Sequence, residues 1–494
     1  MTKSNAIRYV AAAGLFALAT LAWPRVSLSQ EEIPFEISAA YASIKGGEIL
    51  DFIRLIASDK FKGRGTGSDQ YYQAALLMAG TMKEAGFTPF GGKDTFLQPY
   101  EIEQNRIYAP WAFEILHQGK VILSPALGQD FVFRGFTATG DVTADAVFCG
   151  YGLSLGQYDD YSGVDARGKA VVVLNGLPKS LDVEANENYK FAGYKMRNAA
   201  QHGAAAIIFV GDTGEDYGAP AASVFRGPYP GKPDLVAVKV GMKAATALVT
   251  NLQHPLSSIR EIIDSETKPM SFPLETSVHI VANSEYFPKR TAYNVVGLKR
   301  GSNAKLRNRY ILICAHMDHV GEQAGVIFNG ADDNASGTGV LRQIAKAFGM
   351  ATRAPRRSII LVAFSGEEMG LLGSNHFVEN PPVPLGQIDA VINMDMVGMG
   401  DLAVVFGGTN HPQIYSAFSS FAETAGIKIA QNGANPASDQ RPFVAKGVPA
   451  VMVLTAGDRQ NYHTPGDDAE LLNPQLMEDV AQLVFLSAWT LADW

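Results

Sequence analysis

Five short segments in the C-terminal half of this 494-residue chain collect the side chains that bind transition metals. They are His316-Met317-Asp318-His319, the acidic run Asp332-Asp333, the pair Glu367-Glu368, Asp395, and His463 after Tyr462. Imidazole nitrogens and carboxylate oxygens are common zinc donors, and one catalytic zinc needs about three of them. These segments hold more than three, with a carboxylate to spare, which points to two ions. Two ions sharing a carboxylate and a water generate a strong nucleophile and polarise a carbonyl. Singly, each segment has a plainer reading. A histidine at a strand end is commonly structural, and adjacent glutamates commonly form a solvated face. Asp332-Asp333-Asn334 before a helix could act as an N-terminal cap. Their coincidence in one domain argues for chemistry.

The elements that must position these side chains follow from hydrophobic pattern. Apolar runs at 310–315, 358–364, 390–394, 402–406 and 450–454 predict short strands, and 337–348, 413–425 and 474–491 predict helices. Such alternation predicts an α/β domain whose mostly parallel central sheet is flanked by helices. Most of the donor segments follow a predicted strand, and sheets of this kind place their sites at the carboxyl ends of the strands.

Nearer the N-terminus, 44–56 and 71–85 predict helices, the second ended by Gly86, with Gly63, Gly65 and Gly67 marking a loop between them. From about residue 109 to 272 the texture is β-rich. Strands are predicted at 111–116 and 120–123 around Gln118-Gly119, then at 144–148, 170–174 and 205–210, with one helix at 194–202.

Residues 1–29 combine Lys3 and Arg8 with an apolar run at 9–21 and small residues near Ser27 and Ser29. This reads as a secretory signal. The run is shorter than the roughly 20 residues of a membrane span, so no stable membrane insertion is expected once the signal is removed. The formal charge of −8 becomes −11 without the signal, from 38 basic and 49 acidic residues. That balance argues against a nucleic-acid partner bound through a basic face. Two cysteines, Cys149 and Cys314, fall in different predicted domains and are not expected to pair. An exported chain without a disulfide framework suits a periplasm, or secretion.

Taken in order, His316-Met317-Asp318-His319-Val320-Gly321, Gly330-Ala331-Asp332-Asp333-Asn334-Ala335-Ser336-Gly337, Ser365-Gly366-Glu367-Glu368, Asn393-Met394-Asp395-Met396 and Tyr462-His463-Thr464-Pro465 resemble the motifs of the di-zinc aminopeptidase family, number twenty-eight in the metallopeptidase series. The β-rich stretch, with Gly168-Lys169-Ala170-Val171-Val172-Val173 and Ala199-Ala200-Gln201-His202-Gly203-Ala204, resembles the protease-associated domain inserted in that family.

The resemblance implies a discontinuous catalytic domain over 30–109 and 273–494, with a protease-associated insert over 110–272. It implies two zinc ions held by His316, Asp333, Glu368, Asp395 and His463, with Asp333 between the ions and Asp332 as the alternative. Asp318 would fix the His316 ring, Glu367 would be the general base, and Tyr462 would help hold the oxyanion. His319 and Asp439 stand either as pocket-lining residues or as plain surface ones. Cobalt or manganese would suit the same donors. The implied substrates are peptides, cleaved at the N-terminal end. Rival readings are a carboxypeptidase or dipeptidase, a one-zinc glutaminyl cyclase, and a receptor without activity.

Overall fold

The computed structural model describes residues 33–90, 94–179, 181, 187–211, 221–223, 235–250 and 255–494. The expected signal at 1–29 lies outside the described residues. Among those described, no helix is long and apolar enough to cross a membrane.

Four strands form a parallel centre in the order Ala450–Thr455, Ile388–Met394, Tyr310–His316, Ser358–Phe364. Tyr310–His316 and Ser358–Phe364 are buried at every residue. A strand covered on both faces has no polar side to alternate with, hence their continuous apolar sequence. On one face pack the helices Gly46–Ile56, Asp69–Glu84, Gly337–Met350, Pro412–Phe421 and Pro474–Asp493, whose apolar residues merge into one core. The opposite face is covered by the helices Leu372–Glu379 and Gln440–Ala445. The sheet is mixed rather than uniformly parallel. Leu402–Phe406 runs antiparallel to Ala450–Thr455, and Ser271–Lys299 runs antiparallel to Ser358–Phe364.

The larger departure from expectation is continuity. Ser271–Lys299 pairs with Leu97–His117 along most of its length, with register shifts at Val281/Asn283 and Phe287/Arg290. One end of this ribbon joins Ser358–Phe364, and the other joins Gly140–Cys149. Beyond it the insert continues the same sheet through the parallel strands Ala170–Leu174, Ala206–Val210 and Val236–Val240. The boundaries expected at 109/110 and 272/273 therefore fall inside long strands. Composition changes there because the ribbon leaves one core and enters another, while its backbone ladder runs on.

The insert also carries more helix than predicted. Besides Ala192–Gln201 it has Met242–Leu248 and Leu256–Glu266. In the last, Leu256, Ile259 and Ile263 are buried at helical spacing. Cys149 and Cys314 are both buried and free, one in each unit.

Candidate metal centre

The donor segments converge at the carboxyl ends of the four parallel strands. His316 is the last residue of its strand, and Glu367-Glu368 and Asp395 follow theirs. His463 comes from the loop after Ala450–Thr455.

Asp333 lies at the centre. Its Oδ1 is 3.4 Å from His316 Nε2, and its Oδ2 is 3.0 Å from His463 Nε2. On the first side Asp395 Oδ1 is 3.3 Å from His316 Nε2. On the second Glu368 Oε1 is 3.0 Å from His463 Nε2. The donor atoms thus form two groups sharing Asp333: His316, Asp333 and Asp395, and His319, Asp333, Glu368 and His463.

Two donors about 2.0–2.2 Å from a common zinc at a tetrahedral angle lie about 3.3–3.6 Å apart. The observed separations sit close to that range. Glu368 Oε1 and His463 Nε2 are buried and near each other, yet not oriented as hydrogen-bond donor and acceptor. Imidazole and carboxylate donors gathered at this spacing suit a shared cation, so these residues fit zinc.

The local backbone holds these side chains in place. Asp467 accepts the amides of Asp332 and Asp333 at 2.8 and 3.0 Å, and burial pushes its carboxyl up to about 7. Asp332 turns away and accepts Gly398 N at 2.8 Å; burial raises it to about 6. It belongs to neither donor group. Asp395 Oδ2 accepts from Ser438 Oγ at 2.6 Å. Asp318 acts through two groups. Its main-chain oxygen is 3.1 Å from His316 Nδ1, with its carboxylate 3.7 Å away. The carboxylate accepts Thr66 Oγ1 at 2.7 Å and the amides of Glu367 and Glu368 at 3.3 and 3.4 Å. It shapes the glutamate turn as much as it orients the ring.

Tyr462 stacks on His463, with ring centroids 3.8 Å apart. His319 and Asp439 are fully buried, so the surface reading of both is corrected. Asp439 joins neither donor group, and burial pushes it up to about 7.

Sequence reasoning missed several supports. Arg64, wholly buried, donates to the main-chain oxygens of Met317 (2.9 Å), Ile56 (2.9 Å), Asn329 (2.7 Å) and Gly330 (2.7 Å). It ties the His316–His319 loop to the loop entering Asp333. Burial pushes its pKa down to about 10, against the pull of Asp467, Asp333, Asp318 and Glu368, so it stays charged at neutral pH. The only local hint was a cation inside the glycine-spaced run at 63–67. Ala222 of the insert is a second support. Its carbonyl lies 3.1 Å from His463 Nδ1, and its amide donates to His463 O at 2.9 Å. Backbone of the insert thereby orients a donor histidine, as outer partners of metal-binding histidines do.

Arg64→Lys keeps the charge but lacks the five-donor fork. With bonds to charged groups worth about 1.5–3 kcal/mol each, it should lower stability by about 2–4 kcal/mol and loosen metal retention. Denaturant unfolding and metal analysis after dialysis check this; unchanged values would contradict the role.

Electrostatics couple the site to protons. Burial disfavours charge on His316, but Asp395 and Asp318 outweigh it and hold the ring well above the usual histidine value. Glu368 and Asp333 do the same to His463. Burial would raise Glu368, but His463 and His319 hold it well below the ordinary glutamate value. Metal must therefore displace protons from the two raised histidines. Affinity should be greatest above their raised pKa values and fall as pH drops through them, by about tenfold per unit for each proton displaced. Zinc titrations from pH 8.5 to 6, in buffers of differing ionisation enthalpy, should show this slope and proton release.

Residues 294–488 match the model of Peptidase family M28, and residues 138–248 match that of the PA domain. The two matches follow one another along the chain, the PA-domain match ahead of the peptidase match, in agreement with the motifs. Aminopeptidase YwaD of Bacillus subtilis (strain 168) is 24% identical over 478 residues, spanning 93% of this chain and 86% of that protein. An aminopeptidase of Pseudomonas aeruginosa is 27% identical over 273 residues, 55% of this chain and 43% of its own length. Among solved structures, an aminopeptidase from Aneurinibacillus sp. strain AM-1 superposes with a TM-score of 0.65, covering 92% of this chain and 95% of that one at 21% identity. That likeness bears on the fold, which spans both the catalytic and inserted parts.

Proposed function

We propose that this chain is an exported metallo-aminopeptidase that binds two zinc ions and releases N-terminal residues from peptides. The observation that carries the reading is the pair of donor groups sharing Asp333, with Glu367 beside them and belonging to neither. Bound zinc would lower the pKa of a water and polarise the scissile carbonyl.

The chain's own residues do the rest. Burial, with Glu368, Asp395 and Asp439, holds the Glu367 carboxyl well above the ordinary glutamate value, against the opposing pull of His316. A carboxylate of raised basicity is suited to take a proton from water and return it to the departing amine. A cavity of about 260 Å³ is lined by Glu368, Tyr462 and His463 together with Arg134, Phe136 and Lys239 of the insert. Tyr462, which lines the cavity and stacks on His463, would help hold the oxyanion as charge develops on the carbonyl.

Two points support the amino-terminal direction. Three carboxylates, Asp333, Glu368 and Asp395, stand in the donor groups and favour a substrate ammonium beside them, although Arg134 and Lys239 also line the cavity. Two relatives with the same family domain also bear the name aminopeptidase. Export rests on the signal-like start of the chain.

The test is hydrolysis of short peptides with free or acetylated N-termini, with and without chelator. Chelator-sensitive release of the first residue from free peptides alone is expected. Cleavage indifferent to acetylation, or release from the other end, would replace the reading with a carboxypeptidase or dipeptidase. No cleavage would sink it.

A further inference from the structure

The donor set around Asp333 is unequal, and the inequality lies in His319. The ring is fully buried; Nδ1 faces a carboxylate oxygen at 3.0 Å, and Nε2 has no hydrogen-bond partner among the described residues. Its Nδ1 is 3.0 Å from Glu368 Oε1 and 3.7 Å from Asp333 Oδ2, and the ring meets His463 edge-on with centroids 5.3 Å apart. These separations lie near the spacing of about 3.3–3.6 Å expected for donors on one zinc.

The backbone is built to hold the ring there. His319 N donates to Arg64 O at 3.3 Å, and His319 forms a parallel bridge with Gly65. Gly330 leaves room on the far side. A Cβ there would come 2.3 Å from His319 Cγ and 2.4 Å from Cδ2, and the residue has a φ of 61°.

We propose that His319 is a metal ligand in this protein, so that one ion has four protein donors (His319, Asp333, Glu368 and His463) and the other three (His316, Asp333 and Asp395). The inference rests on the two-metal reading above and deepens it. Four protein donors close a zinc site, whereas three leave a position open. The ion beside Glu368 is therefore the tighter-held of the two, and the ion beside Asp395 is the more exchangeable.

The test is zinc K-edge X-ray absorption on the two-zinc protein, which counts imidazole rings by multiple scattering. Three rings distributed over two ions are expected. His319→Gln, which keeps much of the volume, should give two rings and raise the dissociation constant of the tighter ion at least about tenfold, on the scale seen when metal-site partners are lost. Gly330→Ala, which displaces the ring, should weaken the same ion. Two rings in the unmodified protein would overturn the inference while leaving the two-zinc reading intact. Failure to bind zinc at all would overturn both. The unmodified protein alone decides the ring count, so the result does not depend on the folding of any variant.

Discussion

Glu367→Gln is expected to cut turnover by about 10³-fold while leaving metal content unchanged. The glutamine keeps the shape of the side chain and removes its capacity to accept a proton; proton transfer by a placed side chain is worth about 10²–10⁴ in rate. Glu367 belongs to neither donor group, so the metal complement should survive. Its main-chain amide, held 3.3 Å from Asp318 Oδ1, is untouched by the change, so the glutamate turn should keep its form. The loss should appear in kcat with little change in KM, since the carboxyl acts as charge develops rather than in binding the ground state. Peptide turnover, with metal quantified in the same preparation, checks both halves. A fully active variant would remove Glu367 from the role of base.

Asp333→Ala should have the larger effect on metal binding. Asp333 is the one donor common to both groups, so its removal weakens both at once, whereas Glu368→Ala or Asp395→Ala removes a donor from one group. The expected result is loss of both ions on dialysis and activity near background. The stability signature has a definite sign. A ligand that binds only the folded state raises stability in proportion to the logarithm of its excess over the dissociation constant. Asp333→Ala should therefore lower the melting midpoint when zinc is present. With chelator the fall should be smaller, because only the pairing of Asp333 with the site's histidines is then lost. Melting with and without zinc separates this from ordinary core damage, which would lower both midpoints equally.

The coupling of the insert to the site bears on both results. The Ala222 carbonyl lies 3.1 Å from His463 Nδ1, and Arg134 and Lys239 line the same cavity as Glu368. The insert therefore reaches the metal centre through backbone as well as through cavity-lining side chains.

Local patterns in the sequence determined much of this protein. The strand 358–364 and the start of the helix at 337 were readable because a doubly covered strand must be apolar throughout and a packed helix must repeat its apolar face. Several donor residues were readable for a related reason: His316, Glu368 and Asp395 lie at or just after the end of their own strands, so their positions depend on near neighbours. Texture marked a β-rich region, and the runs at 168–173 and 199–204 gave its likeness to a protease-associated domain.

Tertiary structure alone decided the rest. No local pattern pairs one end of Ser271–Lys299 with the catalytic sheet and the other with the insert, because strand pairing is a long-range choice. Arg64 donates to four main-chain oxygens that carry no side-chain signal, among them that of Met317, 253 residues further along. Asp332 and Asp333 are adjacent and chemically identical. Which of them faces the histidines is set by Asp467 and Gly398, each binding a particular atom across the fold. Sequence determines which residues are able to bind a metal; only the packed backbone, by satisfying its own buried polar groups, determines which of them meet.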